Sequence, residues 1–276
     1  MLQFKVDQDL CTKCGLCVSD CVTRIISIEE NGVPFIPKEK EEDCLECQHC
    51  LAVCPAGAVS IFGKAASDSI PLADDSFPGF DKVVNLVRGR RSVRHYKNEN
   101  VDPDLLNEIF AALANSPTGV NAMELTFNVI DDKDVMQRFK DQVMDLFVEA
   151  DKSGKLEKLS PRFHQMAIMP RDILSANLFR NAHHALIVSA DQNAPCPRED
   201  IALTLAYFEI LAQSAGLGTV WWGYLSAMIS VLPEIKTILG IPEDHLFYSM
   251  LFGIPSIKYA RTVQRDNGAA VRRVSI

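Results

Sequence analysis

Eight of the nine cysteines fall within residues 11–54, in two runs of one spacing: Cys11, Cys14, Cys17 and Cys21, then Cys44, Cys47, Cys50 and Cys54. Both read C-x2-C-x2-C-x3-C, and the second repeats the first 33 residues later. Two-residue gaps let three sulfurs of a run curl round one iron–sulfur cluster, each thiolate holding one iron, with the fourth ligand drawn from elsewhere. Two other chemistries use dense cysteines. Disulfides are rare in reducing compartments, and the opening stretch MLQFKVDQDLC is charged, without the apolar core of a signal peptide. Zinc is usually held by C-x2-C knuckles that supply two ligands each, not by complete four-cysteine runs. The runs therefore point to two clusters.

The flanks repeat as well. Ile25-Ile26-Ser27-Ile28 follows the first run, and Ala58-Val59-Ser60-Ile61 stands 33 residues further on. Both predict short apolar strands that close a small two-fold module. Asn31-Gly32 predicts a turn, and with it a hairpin over residues 25–36. The spacing resembles that of bacterial two-cluster ferredoxins, in which the fourth cysteine of each run serves the other cluster. By that resemblance Cys11, Cys14, Cys17 and Cys54 would hold one 4Fe–4S cluster, and Cys44, Cys47, Cys50 and Cys21 the other. Pro55 follows the second run as is usual in that family, whereas Val22 follows the first. His49 would pack near a cluster and tune it without ligating.

These elements occupy a quarter of the chain. The 276 residues fit one small and one medium domain: residues 1–63, a connector over residues 64–80 rich in Ser, Asp, Ala and Pro, and residues 81–276. Net charge is −8, and residues 1–63 carry five Lys/Arg against ten Asp/Glu. An acidic module argues against a nucleic-acid partner; it suits a basic electron-transfer partner, and solubility equally well. No charged residue lies between Glu209 and Glu234. That is long enough to span a bilayer, but Gln213, Ser214, Gly216, Gly218, Gly223, Ser226 and Ser230 interrupt it, which predicts a buried helix and a loop. The expectation is a cytoplasmic protein with no membrane span.

The second concentration of chemistry is Arg88-Gly89-Arg90-Arg91-Ser92-Val93-Arg94, four arginines in seven residues of an acidic protein. It reads as a solvated basic loop or as an anion site, since guanidinium pairs bidentately with phosphate and Ser92 adds a hydroxyl. Arg90-Arg91-Ser92-Val93-Arg94-His95-Tyr96 resembles the opening motif of the FMN-dependent nitroreductase family. Downstream order agrees. Asp102-Pro103 opens an amphipathic helix to about Asn115. Ser116-Pro117-Thr118-Gly119-Val120-Asn121-Ala122 resembles the family's second flavin loop, and residues 125–130 read as the strand after it. Residues 185–190 read as a core strand, residues 198–215 as a long helix and residues 247–254 as a late strand. Gly216-Leu217-Gly218-Thr219-Val220-Trp221-Trp222-Gly223 resembles the third loop.

The resemblance covers residues 81–276 and implies an α+β chain. A small ferredoxin-like two-cluster domain would precede a nitroreductase-like sandwich, with a central, mainly antiparallel sheet flanked by helices. It places Arg90, Arg91 and Ser92 on the FMN phosphate and ribityl chain, with Arg94 as a lesser partner or a surface cation. Ser116, Pro117, Thr118 and Asn121 would lie along the isoalloxazine. The N–H groups of Trp222 and Gly223 would face flavin N5 and O4, while at least one of Trp221 and Trp222 packs in the core. Near the end of the chain, Arg265 matches the family's phosphate cation best; Lys258 lies nearby, and Arg261 reads equally as a partner or as solvent-facing. Two features depart from the family. Asn121-Ala122-Met123-Glu124-Leu125 stands where the family has Asn-x-Gln-Pro-Trp, and residues 133–180 are long and helical in pattern, as cover, dimer extension or scaffold.

Other motifs carry less. Gly216-x-Gly218 lacks the third glycine of a dinucleotide fingerprint. His183-His184 is not spaced for one helix face, and Cys196, between Pro195 and Pro197, has no base in sequence reach. The implied activity is an FMN-dependent oxidoreductase with no protein nucleophile. Two 4Fe–4S clusters would pass single electrons to FMN, which would reduce a small electron-poor acceptor (nitro compound, quinone or activated alkene) by hydride transfer from N5. The donor would be a protein or a reduced nicotinamide, and the assembly a homodimer. The same cofactors also allow a dehydrogenase that reduces ferredoxin, or a carrier or redox sensor without catalysis.

Overall fold

The 33-residue repeat is written into the backbone of the first unit. In the computed structural model, which describes residues 2–265 and 268–276, the chain divides into Met1–Pro78 with Val120–Ala122, and Gly79–Gly119 with Met123–Ile276. The first unit runs β1 (Lys5–Val6), α1 (Leu16–Asp20), β2 (Ser27–Ile28), β3 (Pro34–Phe35), α2 (His49–Ala52) and β4 (Val59–Ser60). β1 pairs antiparallel with β4, and β2 with β3. The β2–β3 hairpin turns where Asn31-Gly32 predicts: Gly32, at φ +84°, donates its N–H to the Glu29 carbonyl, and the Asn31 side chain accepts from the Val33 N–H. Left-handed residues recur in register at Lys13 and Glu46, Gly15 and Gln48, and Arg24 and Gly57. Ile25, Ile26, Leu51, Val59 and Ile61 form the core with the buried Cys17 and Cys50.

The second unit runs α3 (Phe80–Gly89), α4 (Pro103–Leu113), β5 (Thr126–Ile130), α5 (Lys133–Lys152), α6 (Pro161–Ala167), α7 (Arg171–Phe179), β6 (His184–Asp191), α8 (Pro197–Ser214), β7 (Gly218–Trp221), α9 (Gly223–Ile229), α10 (Glu234–Ile238) and β8 (His245–Gly253). Its sheet has the order β5-β6-β8-β7, antiparallel throughout. Strand alternation builds two cores. Ala185 and Ile187 of β6 face α5, α7 and α9, while Leu186, Val188 and Ala190 face α4 and α8. Helix starts are chemically marked: Asp102 caps α4 through the Asp104 N–H with Pro103 in the first turn, and Asp132 caps α5 through Asp134 and Val135. From the sequence Asp81 reads as the cap of a short helix, but Gly79 precedes α3 and Asp81 sits in its first turn, where a carboxylate complements the helix dipole.

The charge-free stretch after Glu209 becomes the end of α8, β7 and α9. Among the described residues no helix is long and apolar enough to cross a membrane. Within residues 133–180, Met144, Phe147, Phe163 and Met166 are buried in the core on the α5 face, so this segment is scaffold first.

Two measurements test the packing. A Cβ at Gly218 would stand 2.7–2.8 Å from the Val93 side chain. Gly218→Ala should therefore lose about 1–3 kcal/mol by urea titration, and adding Val93→Ala should recover part of that loss. His184 is fully buried, donates nothing to a carboxylate, and accepts from the Val101 N–H at 3.4 Å. Burial, helped by neighbouring His183, pushes its pKa down to about 4. The unfolded imidazole titrates near pH 6.5, so the neutral ring's contribution is complete above that pH and is lost as pH falls towards 4. The urea midpoint should drop between pH 7 and pH 5, and drop less in His184→Gln.

Candidate functional site

All nine cysteines are free thiols. Left-handed residues inside each run turn backbone N–H groups to one side, the concavity in which anions and iron–sulfur clusters sit. The fourth thiol of each run has its own polar partner: Ala58 N–H reaches Cys54 Sγ at 3.3 Å, and Cys21 Sγ lies 3.6 Å from the Thr23 hydroxyl. Burial pushes Cys21 up, but Thr23 and the N–H groups of Ile25, Ile26 and Arg24 outweigh it and hold the thiol below its usual value. The Leu16 N–H and Thr12 hydroxyl do the same for exposed Cys14. Burial raises Cys17 and Cys44, and pushes Cys50 to about 11. Buried thiols of that kind ionise when a metal supplies the compensating charge.

The thiols' mutual repulsion records who is near whom. After burial, the largest influence on Cys17 is Cys54, and Cys44 feels both Cys47 and Cys21. Cys50 feels Cys44, Cys47 and, across the module, Cys17. The fourth cysteine of each run thus stands beside the opposite run, and the donor set suits two neighbouring clusters. The His49 ring is largely exposed, and its Nδ1 lies 3.4 Å from Asp20 Oδ2.

In the second unit the arginine motif lies along the start of β7. Ser92 bridges Thr219 in parallel, and Val93 N–H donates to the Thr219 carbonyl at 2.8 Å. The motif also meets the chain after β8. Ser256 N–H donates to the His95 carbonyl, and the Tyr259 hydroxyl donates to the Ser92 carbonyl at 3.2 Å. First motif, third loop and the Lys258 segment therefore converge. Their cations are not equivalent. Arg90 is held by Glu209, 3.0 Å away, whose carboxylate also accepts from Trp221 Nε1 and the Thr219 hydroxyl. Arg91 donates to the Arg88 carbonyl, and its buried Nε has no partner among the described residues. Arg94 reaches the Ser92 carbonyl at 3.4 Å and is exposed, as are Lys258, Arg261 and Arg265.

The second loop sits at the other end of α8. Gly119 N–H donates to the buried Asp200 carboxylate at 2.9 Å, nine residues before Glu209, or about 14 Å along the helix. Ser116 is buried with its hydroxyl unpartnered among the described residues, Pro117 is exposed, and Thr118 closes the loop by accepting from Met123 N–H. Val120, Asn121 and Met123 all have positive φ, an arrangement that costs L-residues energy and persists only where surroundings enforce it. Asn121 is grouped with the first unit, and its amide donates to the Leu45 carbonyl there at 2.9 Å.

The third loop corrects one expectation. The Trp222 N–H is taken by the Ser249 carbonyl at 2.9 Å, continuing the β7–β8 ladder, so it does not face a ligand. Its indole is buried and donates to the Leu178 carbonyl. Gly223 N–H, first in α9, has no acceptor among the described residues and is the loop's free donor. Beside it a pocket of about 410 Å3 is lined by Phe163, Arg180, Trp221 and Tyr224. Sequence reasoning missed Glu209, Asp200 and Arg180. Glu209 had a signal, as the one acid opening an uncharged stretch; the other two had none.

A 4Fe–4S dicluster domain model matches residues 10–58, and a nitroreductase family model matches residues 87–254. A ferredoxin of Pyrobaculum islandicum is 38% identical over 64 residues, 23% of this chain and 57% of that protein's length. An iodotyrosine deiodinase of Thermotoga neapolitana is 26% identical over 140 residues, half of this chain and 72% of the relative. Among solved structures, a Bacteroides fragilis nitroreductase with bound FMN superposes with a TM-score of 0.56 at 18% identity, over 70% of this chain and 99% of its own. At that identity the likeness is one of fold.

The Arg90–Glu209 pair gives a direct test. Removing one partner of a buried pair strands the other, at about 3–5 kcal/mol, whereas replacing both with apolar groups is far milder. Glu209→Leu should lower stability strongly in chemical denaturation, and Arg90→Met with Glu209→Leu should restore most of it.

Proposed function

Because the chain belongs to the nitroreductase family and carries a 4Fe–4S dicluster domain before it, we propose that it is an iron–sulfur flavoprotein reductase of small electron-poor molecules. The observation that carries the reading is the convergence, through the Ser92–Thr219 bridge, of the arginine motif, the third loop and the Lys258 segment. When bound, two 4Fe–4S clusters supply one-electron transfer and FMN supplies hydride chemistry, which joins a single-electron donor to a nitro compound, quinone or activated alkene.

The chain's residues have distinct tasks in this reading. Cys11, Cys14, Cys17 and Cys54 hold one cluster, and Cys44, Cys47, Cys50 and Cys21 the other. Arg91 and Ser92 bind the FMN phosphate with Arg261 and Arg265. The unpartnered Arg91 Nε favours Arg91 as the phosphate ligand, while Arg90, neutralised by Glu209, positions the motif. Gly223 N–H stabilises negative charge at the ring, as backbone donors do in an oxyanion hole. Ser116, Pro117 and Thr118 form a wall that Asp200 anchors through Gly119. A second copy of this chain covers α8, which leaves Ala202, Leu203, Ala206 and Tyr207 exposed on one face of an otherwise buried helix. The donor is a reduced nicotinamide or an electron-carrier protein.

Anaerobically purified protein should contain about eight irons per chain and release FMN on denaturation. Cys21→Ala and Cys54→Ala should each lose about half of the iron. In anaerobic stopped-flow mixing, the reduced protein should be reoxidised by a nitro compound, a quinone or an activated alkene. A protein that none of them reoxidises is an electron carrier and not a reductase.

A further inference from the structure

The pocket beside Gly223 is aromatic and cationic at once. Phe163 meets the Tyr224 ring edge-on, with centroids 5.6 Å apart. The guanidinium of Arg180 lies over the same ring at 5.1 Å, and that of Arg162 at 5.9 Å. We infer that this pocket selects an aromatic carboxylate, its ring held by Phe163 and Tyr224 and its carboxylate by Arg180, with Arg162 in support. This names the substrate class of the proposed reductase, and so rests on that reading for its place in catalysis, though not for binding.

Three features carry the assignment. First, a guanidinium held over a ring by its charge keeps its N–H donors unspent, free for an acceptor such as a bidentate carboxylate. Among the described residues, neither Arg162 nor Arg180 has a carboxylate within ion-pair reach, and neither donates a side-chain hydrogen bond. Arg90 and Arg171, by contrast, are both paired with acids. Second, the acid that hydrogen-bonds the lining is already committed: Glu209, which accepts from Trp221, is paired with Arg90 at 3.0 Å. Third, Arg180 is placed deliberately. It ends α7 in the left-handed region at φ +53°, followed by Asn181 at φ +57°, where glycine would be unstrained. The Arg180 N–H still closes the helix on the Ala176 carbonyl at 3.0 Å, so its side chain leaves from a fixed point.

The test compares benzoate with its neutral isostere benzamide, binding to the oxidised holoprotein, read by quenching of Trp221 fluorescence and by calorimetry. Benzoate should bind at least about tenfold tighter, as a charge-assisted pair provides, and the preference should weaken with salt. Arg180→Gln should abolish the preference while leaving benzamide affinity unchanged. Arg162→Gln, at an exposed position with little risk to folding, should reduce it. Equal affinities, binding of neither ligand, or a preference untouched in both variants would overturn the assignment. Turnover of 4-nitrobenzoate and 4-nitrobenzamide separates the two ideas. Benzoate selectivity in a protein whose reduced form no nitro compound, quinone or activated alkene reoxidises sinks the reductase and keeps the pocket; reduction of both nitro compounds with equal KM and no benzoate selectivity does the reverse.

Discussion

One buried carboxylate organises the second unit. Glu209 sits inside α8 and is satisfied by drawing two segments to it: the first motif through Arg90, and β7 through Thr219 and Trp221. A charge in that position must be paired and hydrogen-bonded or it destabilises the fold by several kcal/mol. The geometry of the candidate site therefore follows from a solvation requirement. It also divides labour among the arginines. Arg90 is spent on Glu209, which leaves Arg91, with its buried unpartnered Nε, as the cation available to a ligand.

The cluster module rests on a different constraint, and a local one. Its ligands are close in sequence, so spacing alone announces them. The backbone conformations that serve the ligands repeat with the same 33-residue offset, from Lys13 and Gly15 to Glu46 and Gln48. Where the repeat breaks, the structure shows the substitute. Val22 stands where Pro55 follows the second run, and Cys21 is met by the Thr23 hydroxyl, whose counterpart 33 residues on is Ala56.

Legibility in the sequence followed the same division. In the second unit α4, β5, β6, α8 and β8 were readable to within a residue or two because the signals are local: a continuous apolar run gives β6, and Asp102-Pro103 opens α4, whereas β7 and the start of α9 stand where a loop was expected. The cap of α3 was misread: Asp81 had two chemically reasonable uses, as cap or as first-turn carboxylate, and only the folded chain chose between them. Glu209 stood out only as the acid opening an uncharged stretch, and Asp200 and Arg180 not at all, because their partners lie 119, 81 and 44 residues away, at Arg90, Gly119 and Tyr224. A single chain carries no record of such pairings in its spacing.

The tryptophan pair shows how far local rules reach. Alternation along a strand sends neighbours to opposite faces, so Trp221 and Trp222 cannot share one role. β7 places Val220 and Trp222 in the α5-side core, where the Trp222 indole finds the Leu178 carbonyl. Trp221 must then turn outward, towards Tyr248 and Glu209, and into the wall of the pocket. The same placement fixes the role of residues 133–180. Their buried side chains, Phe139, Phe147, Phe163 and Phe179, pack around Trp222 and one another. Phe163 and Arg180 emerge from that packing on the pocket side. A segment that is scaffold by burial is thereby also the wall of the site, and its rigidity is what holds an arginine over Tyr224.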